Sequence, residues 1–449
     1  MTTRSVNQRA LLLLNLLLGL AAGLAVIWFV VHMWAAIAGP PRLTLAVDKA
    51  VVGGAGPLQL TANQPLVQAG PVEAVIDGVV AASVQLEGSA LSLAWHQALV
   101  PGQHELSLTG DLAGLDGARL AQPFLLPFEV RPVELVFLRP EPGKRWLVRT
   151  NAEQQIVLFD RASVHSYAAD PSGERIIVAA ANATGGTDLW SIDRQAAEVR
   201  RLFDCGADHC QQPAWSPDAA RIVFVRLPAD ARGDIQRARL WTIDAAGEQA
   251  APLYQEAGRA GTDPVWSPDG RWLAYYDPVG QAVLVLDSDT VTEQIIPTAA
   301  GTAGAWSVTS DELALPVLDL AHDGPEMALL RVNVVARTTA TILAAEAGWS
   351  AIGEPAWSPA QGWLAAAASR TGLGHGVWRF RPDGSQLEAV ALDSTYAYGG
   401  LAWDPWGEQL LFQRFPIGGD GGDPQLLVWD PSAGFVRQIE SATLGQWLP

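Results

Sequence analysis

The chain divides into three regimes by its pattern of apolar and polar positions. Residues 10–38 form one apolar run, uncharged unless His32 protonates. As a helix at ~1.5 Å per residue this run is longer than the ~30 Å hydrocarbon core of a bilayer. A cleaved signal peptide has an apolar core of only ~7–15 residues, so the run reads as an uncleaved transmembrane anchor. Cleavage after Ala36-Ile37-Ala38 is the alternative. Residues 42–131 alternate apolar and polar positions in short runs broken by Gly, Pro, Asn and Asp, as in Leu43–Val47, Leu58–Thr61, Val72–Ile76, Ser83–Leu86, Ala90–Trp95 and Glu105–Leu108. Such spacing predicts a β-sandwich. From residue 133 the alternation repeats in units of roughly 40–50 residues, the length of a propeller blade.

The clearest repeat copies are Pro213-Ala-Trp-Ser-Pro-Asp218, Pro264-Val-Trp-Ser-Pro-Asp-Gly270 and Pro355-Ala-Trp-Ser-Pro359. Gly304-Ala-Trp-Ser307 and Leu401-Ala-Trp-Asp-Pro405 are weaker, and Tyr167-Ala-Ala-Asp-Pro-Ser-Gly173 replaces the Trp with Ala169. Pro fixes φ in the turn, Asp218 and Asp269 can bond turn amides, and Gly270 supplies the left-handed residue that closes the hairpin. These acids recur because each unit needs the turn, so their expected role is structural. Each Trp falls on an innermost strand, where it can meet the neighbouring blade.

The anchor position falls at Ala169, Trp215, Trp266, Trp306, Trp357 and Trp403, with spacings of 46, 51, 40, 51 and 46, and Trp447 follows after a further 44. Trp447 has no blade behind it. Upstream, Val133–Arg139, Arg145–Thr150 and Gln155–Phe159 make three strands with no inner partner. The expectation is therefore an all-β chain with a seven-bladed propeller over 133–449, closed by the C-terminal strand, with six blades as the runner-up. It follows a sandwich at 42–131, an anchor at 10–38 and a tail at 1–9. Closure removes the sheet edge that invites aggregation.

The Trp-Ser-Pro-Asp-Gly copies resemble the TolB-like (WD-type, or WD40-like) propeller repeat, also found in the propellers of tricorn and prolyl-oligopeptidase-type proteins. Residues 42–131 resemble bacterial Ig-like domains in three places: Leu58–Thr61 with Gln64–Leu66, Leu99–Leu106, and Asp116–Ala118 before Phe124–Val130. In that family these correspond to an early strand, a hairpin and a closing strand. Such modules act as spacers or binding surfaces, and His96 and His104 have no third ligand nearby.

Charge sharpens the layout. The chain has 29 Lys and Arg against 47 Asp and Glu, a net charge of −18. Arg4 and Arg9 are the only basic residues before Arg42, and no acid precedes Asp48. The positive-inside rule then keeps the N-terminus cytoplasmic and sends the rest out. The expected localisation is single-pass in the cell membrane, with a periplasmic or extracellular ectodomain in the cell envelope. So acidic a chain is a poor ligand for a phosphate backbone, and no nucleic-acid partner is expected.

Two cysteines make neither a disulfide framework nor a four-thiolate zinc site. In Cys205-Gly-Ala-Asp-His-Cys210 a loop disulfide is the favoured reading, with a metal held by Cys205, Asp208, His209 and Cys210 as the alternative. Gly348-Trp-Ser-Ala-Ile-Gly353 has the wrong spacing for a nucleophile elbow. No phosphate-binding loop or His-Glu-x2-His occurs. The Gly- and Asp-rich stretch 417–424 reads as a long loop, and Asn182-Ala-Thr184 is a formal glycosylation sequon.

No catalytic residue, metal or cofactor is expected. Binding candidates fall in the longer loops opposite the Trp-Ser-Pro-Asp-Gly turns: His209, Arg232, Asp234, Asp263, His322, Trp349, Tyr396 and Tyr398. The leading expectation is a membrane-anchored binding or scaffold protein holding an envelope protein. The rival is a propeller hydrolase or lyase acting on a carbohydrate or lactone.

Overall fold

A computed structural model describes residues 43–448, apart from segments 48–50, 53–57, 96–98, 152–153, 320–325, 345–346, 360–361 and 419–421 and residues 232 and 257. The run 10–38 lies outside the described residues. Among the described residues no helix is long and apolar enough to cross a membrane. The single-pass placement expected from sequence, with its extracytoplasmic ectodomain, is corrected on that ground and is not carried further.

Two compact units are present, one built on Leu58–Ala94 and His104–Phe128, the other on Trp95–Gln103 and the chain from Glu129 onward. In the first unit, alternation sets the burial directly. Leu58, Leu60 and Ala62 point inward while Gln59 and Thr61 are exposed, because successive strand residues face opposite sides. Leu91, Leu93, Leu106, Leu108 and Phe128 complete this core. Strands Leu45–Val47, Leu58–Ala62, Ala90–Ala94 and Val80–Glu87 pair in one run, and Leu66–Ile76 pairs with Gly102–Gly114 in another. Leu66–Ile76 and Val80–Glu87 join the two runs through only three residue pairs, Ala74↔Ala82, Val75↔Ala81 and Ile76↔Val80.

The second unit is a propeller, and its blade count corrects the sequence expectation. Five four-stranded sheets stand as separate blades. Four of them begin at Thr262, Ala305, Trp349 and Tyr396, each meandering outward from an inner strand. The fifth consists of Glu134–Glu141, Lys144–Thr150 and Gln155–Phe159, completed by Thr443–Leu448. Trp447 pairs with Leu135 and Leu448 with Glu134 in that sheet. The strands from Val164–Ala169 to Ala251–Pro252 form instead a single eight-stranded sheet. Its two halves are joined by a parallel bridge between Thr187 and His209. Among the described residues neither seven nor six separate blades is therefore found. The local turn signals were sound, but hydrogen bonding continues across a boundary that the repeat spacing treats as a gap.

Tryptophan staples the inner strands together. Trp215, Trp306, Trp357, Trp403 and Trp447 donate their indole N–H to the carbonyls of Ala168, Val265, Ala305, Ala356 and Ala402, at 2.9–3.2 Å. Each acceptor immediately precedes the previous anchor in the chain. Trp266 is the exception, its buried indole nitrogen having no partner. In the turns, the Asp218 carboxylate accepts from Ala220 N at 3.0 Å and that of Asp269 from Arg271 N at 3.1 Å. Gly270 takes φ +74°.

Candidate functional site

Three positions before each anchor, on or just ahead of the inner strand of each repeat, stand Ser166, Gln212, Asp263, Ala303, Glu354, Gly400 and Leu444. Most of these strands break register there, between Gln211 and Ala214, Thr262 and Val265, Ile352 and Pro355, and Gly399 and Ala402. A bulge re-aims the side chain out of the ladder. Gln212, Asp263, Gly400 and Leu444 adopt φ of +50° to +57° to make the bend.

A relay of hydrogen bonds runs along part of this set. Gln212 N donates to Ser166 Oγ at 2.9 Å, and Asp263 N to Gln212 Oε1 at 3.0 Å. Asp263 Oδ2 accepts from Ala303 N at 2.8 Å and from Thr302 Oγ1 at 2.9 Å. The relay stops at Ala303, which has no polar side chain to offer the next strand.

Glu354 stands beyond the break. Its side chain is exposed, but crowding by protein atoms, and then the charge of Asp263, push its carboxyl up to about 8. A carboxyl raised this far is mostly protonated at neutral pH and can donate a proton.

The loop face holds the sequence candidates in very different settings. Arg232 and His322 lie outside the described residues. Asp234 caps a short 3-10 turn, accepting from Gln236 N at 3.2 Å. Trp349 is only 5% exposed and packs edge-to-face on Trp378 at 5.4 Å, so it serves the core. Tyr396 is half-buried beneath the Arg414 guanidinium, 4.2 Å from the ring centre. Tyr398 packs on Phe412 at 6.0 Å, and burial raises its phenol above the usual range. Of the six candidates among the described residues, only Asp263 joins the relay of hydrogen bonds through Gln212 and Ala303.

His209 sits in the Cys205–Cys210 loop, which is closed by a disulfide with Cα atoms 6.2 Å apart. The sulfurs are thus bonded to each other, and Asp208 is paired with Arg226 at 2.8 Å. Cys205 N donates to Asp188 Oδ1 at 3.0 Å, and Thr187 Oγ1 to the Cys210 carbonyl at 2.5 Å. Asn182 Nδ2 donates to Asp188 Oδ1 at 2.8 Å and to the Gly206 carbonyl at 2.7 Å. Both amide hydrogens of the sequon asparagine are therefore engaged in holding this loop.

Among the described residues no group of three or more His, Cys, Asp or Glu is placed to hold a metal ion. In the first unit His104 pairs with Asp77 at 2.6 Å, while His96 lies outside the described residues. Sequence reasoning missed Glu354, although the signal was present: it precedes Trp357 by three positions, as Asp263 precedes Trp266.

No family model matches the chain, and no curated protein does. Solved structures do match. An oligogalacturonate lyase in complex with manganese is 16% identical, with 63% of this chain and 75% of that one covered, at a TM-score of 0.42. A putative TolB from Agrobacterium tumefaciens is 14% identical, with 71% and 98% covered, at 0.39. A structure from a study of two prolyl endopeptidases is 15% identical, with 70% and 50% covered, at 0.50. The structural neighbours thus include TolB-like and other β-propeller proteins, both enzymes and non-enzymes. At these identities the likeness shows the fold alone.

Proposed function

We propose that this chain is a binding or scaffold protein whose propeller holds a protein partner on the face opposite the Trp-Ser-Pro-Asp-Gly turns. The observation that supports this reading is the set of internal ties on that face. The Cys205–Cys210 loop is tied by a disulfide and by Asn182, Thr187 and Asp188. The guanidiniums of Arg226, Arg259 and Arg414 lie over the rings of Trp241, Tyr254 and Tyr396 at 4.6, 4.1 and 4.2 Å. Side chains held in one conformation lose little entropy on docking, which favours association.

Crosslinking and pull-down with the full chain tests the reading. One protein retained at equal stoichiometry, and lost from a His209→Ala/Tyr396→Ala variant, would support it; retention of nothing would count against it. A second reading, a hydrolase or lyase acting on a carbohydrate or lactone, is favoured by the neighbouring Glu354 and Asp263 carboxyls. Turnover on a panel of lactones and oligosaccharides that Glu354→Gln abolishes would select that reading instead.

A further inference from the structure

The loop face is not uniform. Leu373, in the turn between Leu364–Arg370 and Gly374–Phe380, is 50% exposed, and Leu392 is 45% exposed. Phe415 and Ile417, at the end of the strand Leu410–Pro416 and just beyond it, are 37% and 51% exposed. These four belong to one sector. A Cβ on Gly374 would lie 3.8 Å from Ser394 Cβ, which sets the Leu373 turn against segment 393–395. Ile417 N donates to the Thr395 carbonyl at 2.7 Å, and Leu392 leads directly into the same segment. Single exposed apolar residues need no explanation, but a cluster at a rim marks a contact surface.

The charge of this sector is one-sided. Residues 382–449 hold nine Asp and Glu against two Arg. Both arginines are engaged internally. Arg414 donates to Gln425 Oε1 at 2.6 Å while covering Tyr396, and Arg437 donates to Thr150 Oγ1 at 2.8 Å. The nearby Arg370 lies over Trp349 at 5.3 Å. Glu388 pairs with Arg379 at 2.7 Å, whereas the carboxylates beside the apolar cluster bond to neutral donors: Asp393 to Thr395 N and Oγ1 at 2.9 and 2.6 Å, Glu440 to Gln425 Nε2 at 2.6 Å, and Asp423 to Ser441 Oγ. Hydrogen bonds to its own turn hold Asp393 below the usual carboxylate range, so it carries full charge.

We infer that this sector docks a segment of another protein in which apolar side chains are flanked by lysine or arginine, an inference that rests on the binding reading above. The four apolar side chains supply the seats. The carboxylates of Asp393, Asp423 and Glu440 select a cationic flank, because an acidic or purely apolar segment would cover them without adding a counter-charge.

Two synthetic peptides with the same leucines, one with lysines between them and one with glutamates, test the inference against the full chain. The lysine peptide should bind at least ~10-fold more tightly, weaken with added salt, and lose roughly ten-fold on Ile417→Ser or Leu392→Ser. Asp393→Asn should flatten the salt dependence without changing the melting temperature. Equal binding of both peptides, or indifference to all three substitutions, overturns the inference. A pull-down partner whose retention ignores Ile417→Ser overturns this surface but leaves the binding reading intact, whereas a chain that retains no partner overturns both.

Discussion

Trp357 and Trp266 occupy the same position of the repeat, yet only the first makes its hydrogen bond to the preceding inner strand. A hydrogen bond of this kind contributes about 1 kcal/mol, so Trp357→Phe should destabilise the chain by ~1 kcal/mol more than Trp266→Phe. Denaturant titration of both variants measures the difference, and equal losses would mean that packing alone sets the role of the anchor. Glu354 gives a pH signature. Its carboxyl is raised from 4.5 to about 8 in the folded chain, so the folded state holds the proton more tightly than the unfolded state does. That contribution is complete below the unfolded value and is lost as pH rises through about 8. Between about pH 5 and 9 the wild type should lose stability relative to Glu354→Gln, the variant melting higher by ~2 °C at the alkaline end. Parallel melting curves for the two proteins would rule this out.

Two elements hold the propeller where the repeat alone does not. The Cys205–Cys210 loop lies beside the Thr187–His209 bridge that turns two expected blades into one sheet. Closing so short a loop is worth about 2 kcal/mol. Replacing both cysteines by alanine should cost ~2 kcal/mol and speed amide exchange in Thr187–Asp193 and His209–Trp215 before the rest of the unit. Uniform exchange would show that the loop does not hold the joint. The strand Thr443–Leu448 closes the opposite seam. Leu448 is fully buried, and its carbonyl is 3.5 Å from Arg194, whose guanidinium is itself buried and paired with Glu134 at 2.8 Å. Burial lowers that guanidinium to about 10. Deleting Gly445–Pro449 removes this strand and exposes the edge of Glu134–Glu141, so the melting temperature should fall markedly; an unchanged melt would sink the closure.

Across the whole molecule, charge works against compactness. A net of −18 repels itself, and many carboxylates are held in turns by neutral amides and hydroxyls, as at Asp218, Asp269, Asp404 and Asp430. Screening should therefore stabilise the chain, with its melting temperature rising as sodium chloride is added at neutral pH. A fall would mean that ion pairs such as Arg194–Glu134 and Arg131–Glu174 outweigh the repulsion. The acidic balance also bears on partners, because the sector bearing Leu392 and Ile417 is among the most negative stretches of the chain.

The sequence by itself determined what local chemistry controls. The Trp-Ser-Pro-Asp-Gly turns, the inner-strand anchors and the leftover Trp447 that pairs with the first sheet were legible, because each depends on a few adjacent residues or on a count. The alternation at Leu58–Ala62 was legible for the same reason. Only the tertiary structure decided the rest. Two expected blades share one sheet because Thr187 and His209, distant in the repeat, meet across a disulfide-held loop. Trp349, which read as a loop anchor, is core because Trp378 lies against it. Glu354 is raised first by the protein atoms the fold crowds around it and then by the charge of Asp263, ninety-one positions earlier in the chain. Spacing along a chain records which turns recur; burial and charge depend on neighbours that only closure of the ring brings together.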